Sequence, residues 1–173
     1  MAERAGVGIS ALYRRFASKE ALLQHLMRDG QRRYTIEVER ALADERDPWE
    51  AFATFMRRVL DEDTHALTLH LAGKFTPSDE LWREGDRAGA LTMALIARTK
   101  DAGALRQDFD VGDITMLFEQ LAAITVGDRE RTRELRHRYL ELFLQALRAP
   151  GLGPLPAPAP SWDEISERFA PAT

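Results

Sequence analysis

From Leu22 to Leu147 the apolar residues of this 173-residue chain recur at every third or fourth position, and that period constrains its fold more than any other feature. A 3.6-residue repeat places such positions on one face of a helix, whereas a half-buried strand needs strict alternation. No alternating run and no Asn-Gly turn interrupts the pattern. The expected fold is therefore all-α, with about seven or eight helices.

Glycine and proline mark the breaks. Residues 1–5 read as the tail of a helix, Gly6-Val7-Gly8 as a turn, and Ile9 to Arg15 as a short helix. Ser18 is placed to cap a long helix reaching about Asp44, with Glu20 in its first turn to meet the helix dipole. Asp47-Pro48 restarts the chain, because Asp caps and Pro suits the first helical position. Phe52, Phe55, Met56, Val59 and Leu60 then share a face. A further helix is expected from Thr64 to Ala72, ended by Gly73 and Pro77, and Ser78 can cap the next, to about Ala102. The residues after Gly103 read as a connection. Val111, Ile114, Leu117, Phe118 and Leu121 mark the penultimate long helix, and Leu135, Tyr139, Leu142, Phe143 and Leu147 the last. Five prolines and two glycines from Pro150 to Pro160 read as an extended, semi-rigid linker. Ser161-Trp-Asp-Glu164 has capping-box spacing and predicts a short terminal helix ending near Phe169.

A chain this long can bury about 70% of its unfolded surface without staples. It has no cysteine, which excludes disulfides and thiolate metal sites and suits a reducing cytoplasm. No apolar run is long enough to span a bilayer, and the N-terminus does not read as a signal peptide, so the expected location is cytoplasmic with no membrane partner. There is no Gly-rich phosphate loop, no Gly-x-Ser-x-Gly and no His-Glu-x-x-His, and the carboxylates alternate with Arg as on solvated helix faces. The reading is not an enzyme, with no cofactor. His65 and His70 are five apart, off the spacing that aligns ligands on one helical face, so no metal site is expected.

The formal net charge of −4 is unevenly distributed. Residues 1–40 carry eight Lys/Arg against five Asp/Glu, and the remainder 16 against 23. A basic end on an acidic body fits a nucleic-acid-touching module carried by a larger domain, although such an excess is also common on solvated surfaces. On a helix from Ile9 to Arg15, Leu12 and Phe16 can pack inward with Val7 while Ile9, Ser10, Tyr13 and Arg14 face outward. Arg14 and Arg15 supply guanidinium forks for guanine edges or phosphates, and Tyr13 a hydroxyl for phosphate. Lys19 stands where its amine and nearby backbone N–H groups can hold a phosphate.

The run Ala5-Gly6-Val7-Gly8-Ile9-Ser10-Ala11-Leu12-Tyr13-Arg14-Arg15-Phe16, followed by Ser18-Lys19-Glu20-Ala21-Leu22, resembles the TetR family of transcriptional regulators. The resemblance implies a helix-turn-helix whose DNA-facing positions fall on Gly8, Ile9, Ser10, Tyr13, Arg14, Arg15 and Lys19. Ala11 replaces the family's usual threonine, losing a hydroxyl, and Arg15 replaces its usual histidine, keeping a donor. Family members carry a first helix and most of a second before this point, so the module reads as truncated, and Met1 stands where members carry Ile, Val or Leu. One expectation is an upstream start, with an internal GTG codon read as the initiator; the other is a genuinely short chain, a dimeric small-molecule-binding protein without competent DNA binding.

The resulting organisation is a partial helix-turn-helix module and connecting helix over 1–44, a helical ligand-binding and dimerisation domain over 45–149, and a Pro-rich tail over 150–173. The resemblance implies a repressor that binds pseudo-palindromic duplex DNA as a homodimer and is released by a small apolar or amphipathic effector. Candidate effector-pocket walls are Phe52, Phe55, Met56, Val59, Leu67, Leu71, Leu91, Leu95 and Phe118, with His65 and His70 as polar contacts. Trp82 reads as a pocket rim or a half-exposed anchor. The dimer face is expected at Phe118, Leu121, Leu135, Tyr139, Leu142 and Phe143, although such stripes also serve as internal core.

Overall fold

A computed structural model of the chain describes residues 15–62, 76–149 and 153–167, and every regular element among them is a helix. These are α1 (Lys19–Ala43), α2 (Pro48–Glu62), α3 (Asp79–Asp101), α4 (Val111–Ala123), α5 (Arg129–Leu147) and α6 (Trp162–Glu167). The helix expected from Thr64 to Ala72 and the turn and short helix before residue 15 lie outside the described residues.

The helix starts follow from local chemistry. The Ser18 hydroxyl accepts the Ala21 N–H at 3.0 Å and opens α1, and the Ser78 hydroxyl does the same for α3 through Leu81 at 3.3 Å. Pro48 takes the first position of α2, behind an Asp47 carboxylate that accepts the Glu50 N–H at 3.0 Å. Asp110 and Asp113 form a capping box at α4. Ser161 and Glu164 cap α6 reciprocally, as their spacing predicts: the Glu164 carboxylate accepts the Ser161 N–H at 2.7 Å and the Ser161 hydroxyl accepts the Glu164 N–H at 3.2 Å.

Two helix ends are closed by arginines from other helices instead of by glycine. Arg98 of α3 donates to the carbonyls of Ala41 at 2.9 Å, Leu42 at 2.9 Å and Asp44 at 3.2 Å, meeting acceptors at the end of α1, where Ala41 O also takes the Asp44 N–H at 3.3 Å. Arg136 of α5 likewise donates to Ala122 and Ile124 at the end of α4. Each cap also ties one helix to another.

The core gathers Val38 of α1, Trp49, Phe52, Phe55, Met56 and Val59 of α2, Leu95 and Ile96 of α3, Ile114, Leu117, Phe118 and Leu121 of α4, and Leu140 and Leu144 of α5. Phe52 meets Phe109 edge-on with centroids 6.0 Å apart, and Tyr34 meets Phe55 at 5.5 Å. Leu105 and Phe109, expected merely in a connection, are fully buried. That loop can enter the core because its backbone is paired: Arg106 N–H donates to Leu147 O at 3.1 Å, and Ala149 N–H to Ala104 O at 3.0 Å. Between α1 and α2 the buried Glu37 carboxylate receives Arg40 and, at 3.3 Å, Arg58.

The Pro-rich stretch is more than a spacer. It returns across the body as a strap. Arg106 donates to Gly153 O at 2.7 Å, the Asp108 carboxylate accepts the Leu155 N–H at 2.8 Å, Pro160 lies against Gly112, and Ile165 is buried. The Trp162 indole N–H donates to Asp86 of α3 at 3.2 Å.

Candidate functional site

Of the expected DNA contacts, Gly8, Ile9, Ser10, Tyr13 and Arg14 lie outside the described residues. Arg15 and Lys19 are described, and both are exposed. The Arg15 guanidinium lies 5.9 Å from the centre of the Phe16 ring, and that ring packs 5.1 Å from His25 on α1. Phe16 therefore pins the end of the reading segment to the long helix. Lys19 is the first residue of α1, so its cation adds to the partial positive charge of the helix start, an arrangement suited to a phosphate.

Further along α1 a cavity of about 120 Å³ opens towards α3 and α4. Gly30, Gln31 and Tyr34 of α1 face Gly85, Ala88, Gly89 and Thr92 of α3 across it. Val111, Ile114 and Thr115 of α4 and Trp162 of the strap also line it. A second hollow of about 90 Å³ shares Gln31, Gly85 and Trp162 with the first and is bordered by Met27, Trp82 and Ile165. Glycines meet there: two long helices approach through Gly30, Gly85 and Gly89, and among the described residues only the Gln31 amide, 3.2 Å from where a Gly85 Cβ would stand, comes close to Gly85.

The cavity has few polar groups. Thr92 donates its hydroxyl to Ala88 O at 2.8 Å, so Tyr34 O–H is the donor to Thr92 Oγ1 at 3.0 Å. Burial pushes the Tyr34 hydroxyl up to about 12, which keeps it a neutral donor at physiological pH. Gln31 Nε2 donates to Leu81 O at 3.2 Å, which fixes the amide orientation. Its Oε1 is a buried acceptor with no hydrogen-bond partner among the described residues.

The expected pocket walls are placed differently. Phe52, Phe55, Met56, Val59, Leu95 and Phe118 are packed in the core, with Leu91 against it, and none of the seven lines either hollow. Apolar stripes on neighbouring helices interlock and leave no gap between them. His65, Leu67, His70 and Leu71 lie outside the described residues. Trp82 is half-buried and borders the second hollow. Gln31, Thr92 and Trp162 were not expected at the site. The signal that could have found it is glycine within long helical patterns, at 30, 85 and 89. A wider hollow of about 760 Å³ between α2 and α5 is lined by Asp61, Asp128, Arg129 and Arg133, a charged wall unlike the apolar slot.

The expected dimer residues also separate. Phe118 and Leu121 are packed in the chain's own core, out of reach of a partner. Phe143 is half-buried against that core. Tyr139 is 44% exposed and Leu142 49% exposed on α5, with the half-buried Leu135 one turn before them.

Comparison with known proteins matches this architecture. Residues 47–149 match the family model described as transcriptional regulator SbtR-like, C-terminal domain, and residues 1–26 match that described as bacterial regulatory proteins, tetR family. Comparison with curated proteins gives no match. The TetR transcriptional regulator SCO0520 from Streptomyces coelicolor is similar in structure, with a TM-score of 0.59, 28% identity, and 87% of this chain and 86% of that one covered. The TetR family transcriptional regulator PfmR from Thermus thermophilus shares the fold at a TM-score of 0.56 and 20% identity, over 88% of this chain and 86% of that one. A long helix running from residue 19 into a helical body, and these matches, together place the chain in the TetR family of bacterial DNA-binding transcriptional regulators, which are not enzymes.

Proposed function

We propose that the chain is a repressor that acts as a homodimer on pseudo-palindromic duplex DNA and is released by a small, largely apolar effector bound between α1, α3 and α4. The observation that carries this reading is the continuity of α1. It begins at Lys19, beside the reading segment, and passes without a break to Gln31 and Tyr34 in the cavity wall. Twelve residues of helix from Lys19 to Gln31 span about 18 Å. A ligand that parts α1 from α3 at the cavity therefore tilts a stiff lever whose other end meets the DNA.

A two-fold dimer must hold its reading helices about 34–36 Å apart to engage one DNA turn. An effector that favours another spacing depletes the DNA-bound state by population shift. The exposed Tyr139 and Leu142, with Leu135, supply the apolar face through which two copies would pair. Gly8, Ile9, Ser10, Tyr13, Arg14, Arg15 and Lys19 are the proposed DNA contacts. The test is a gel shift with DNA flanking the chain's own gene, at low and high salt. A specific complex that weakens as salt rises is expected. Equal affinity for flanking and shuffled DNA at both salt concentrations would refute DNA-directed repression.

A further inference from the structure

We propose that the C-terminal strap is the closing wall of the effector cavity, with Trp162 as its movable plug, and that the cavity takes a flat, neutral molecule carrying one N–H or O–H donor. This rests on the reading of that cavity as the effector site.

The strap is held unevenly. At its root Arg106 grips Gly153 O and the Asp108 carboxylate, which in turn accepts the Leu155 N–H. Towards its tip Pro160 lies against Gly112 and Ile165 is buried, whereas Trp162 itself is 39% exposed, makes one exposed hydrogen bond, to Asp86, and turns its ring edge to Gly89, where even an added Cβ would stand 3.9 Å away. Prolines at 154, 156, 158 and 160 stiffen the chain between root and tip, so the strap can lift as a unit about its root. Trp162 borders both hollows, so lifting it opens them together.

The ligand class follows from the walls. Among the described residues no charged side chain lines the first hollow, and a buried ion without a partner is strongly unfavourable. Glycines on both facing helices and the Trp162 ring leave a slot suited to a flat molecule. Tyr34 and Thr92 hydrogen-bond to each other, whereas the buried Gln31 Oε1 has no donor among the described residues, and a ligand N–H or O–H can supply one.

The test uses the full chain, indole as the probe, and benzofuran as its near-isostere without the N–H. The chain has three tryptophans, and Trp162→Phe assigns the Trp162 indole N–H resonance. Indole is expected to shift that resonance saturably and leave that of the core residue Trp49 in place. The wild-type chain should bind indole about tenfold more tightly than benzofuran, the scale of one well-made hydrogen bond. Gln31→Leu should erase that preference. Trp162→Ala should release indole at least tenfold faster, with Trp162→Phe in between and helical content unchanged in both. If indole shifts Tyr34 but not Trp162, the strap proposal falls and the cavity remains an effector site. Equal affinities in the wild-type chain overturn the donor requirement. If indole shifts no residue of either hollow, the proposal and the assignment of the effector to this cavity fall together.

Discussion

Replacing Gly112 by alanine should destabilise the protein, although alanine is the better helix former. Gly112 is the second residue of α4. A Cβ built there would stand 1.9 Å from Pro160 O, 2.9 Å from Pro160 C and 3.1 Å from Pro160 Cγ. Non-bonded heavy atoms settle at 3.5–4.0 Å, so Pro160 must retreat by about 1.5–2 Å. The obstacle is backbone, held between Trp162 on Asp86 and the root clasp at Asp108, so it cannot rotate away as a side chain would. Overpacking of this kind costs about 1–3 kcal/mol. Helix propensity returns about 0.5–1 kcal/mol. The net loss is therefore up to about 2.5 kcal/mol, or up to roughly 10 °C in Tm for a chain of this length. It is capped by the docking energy of the strap, because lifting the strap relieves the clash. Gly89→Ala is the matched control: its Cβ meets Trp162 at 3.9 Å, an ordinary contact, so propensity alone should stabilise by about 0.5–1 kcal/mol. Thermal unfolding of the two variants, with limited proteolysis at residues 153–167, separates the effects. If Gly112→Ala matches Gly89→Ala in stability and keeps its strap protected, the reasoning is refuted.

Three further outcomes are expected. Arg98→Ala removes the guanidinium donors to the carbonyls of Ala41, Leu42 and Asp44 and should lower stability to denaturant by about 1.5–3 kcal/mol, the range for hydrogen bonds to a charged group, with Arg98→Lys recovering less than half. The Arg106 guanidinium and the Leu155 N–H hold the Asp108 carboxyl well below the usual range, and the Arg57 guanidinium holds Glu141 below it. Their folded-state values lie under the unfolded ones, so both contributions are complete above about pH 4–5 and are lost as pH falls below that. Protection of the strap from proteolysis should fail in that acid range, and Asp108→Asn should remove the pH dependence of this step. Finally, Tyr139→Glu with Leu142→Glu should give a monomer in sedimentation, where the unaltered chain should sediment as a dimer.

The helix starts were legible because capping is local chemistry. Ser18, Asp47-Pro48, Ser78 and the Ser161/Glu164 pair each act within about one turn, and each opens a helix where its spacing predicts. The walls of the cavity were not legible. Periodicity rewards large apolar side chains, and these are consumed in packing: Phe52, Phe55 and Phe118 interlock in the core. The space lies where side chains are missing, at Gly30, Gly85 and Gly89, which a hydrophobic pattern scores as nothing. The strap was illegible for another reason. Its position depends on Trp162 meeting Asp86 and on Arg106 meeting Gly153, contacts 76 and 47 residues apart in the chain. The same non-local pairing draws Leu105 and Phe109 into the core, although their sequence reads as a connection.

The central claim is that one helix, α1, couples the cavity to the DNA-contact end. Coupling between two sites is reciprocal: whatever the cavity does to DNA affinity, bound DNA must do to the cavity. The most direct measurement therefore needs no effector. The Trp162 indole N–H and Tyr34 ring resonances are recorded with and without flanking DNA that gives a specific gel shift. Both belong to residues that line the cavity, and Tyr34 lies about four helical turns beyond Lys19 on α1. Both should move when DNA binds, and Lys19→Ala, which removes a proposed phosphate contact, should shift the DNA concentration required without changing the endpoint. Cavity resonances that stay in place while the DNA is fully bound would contradict the claim.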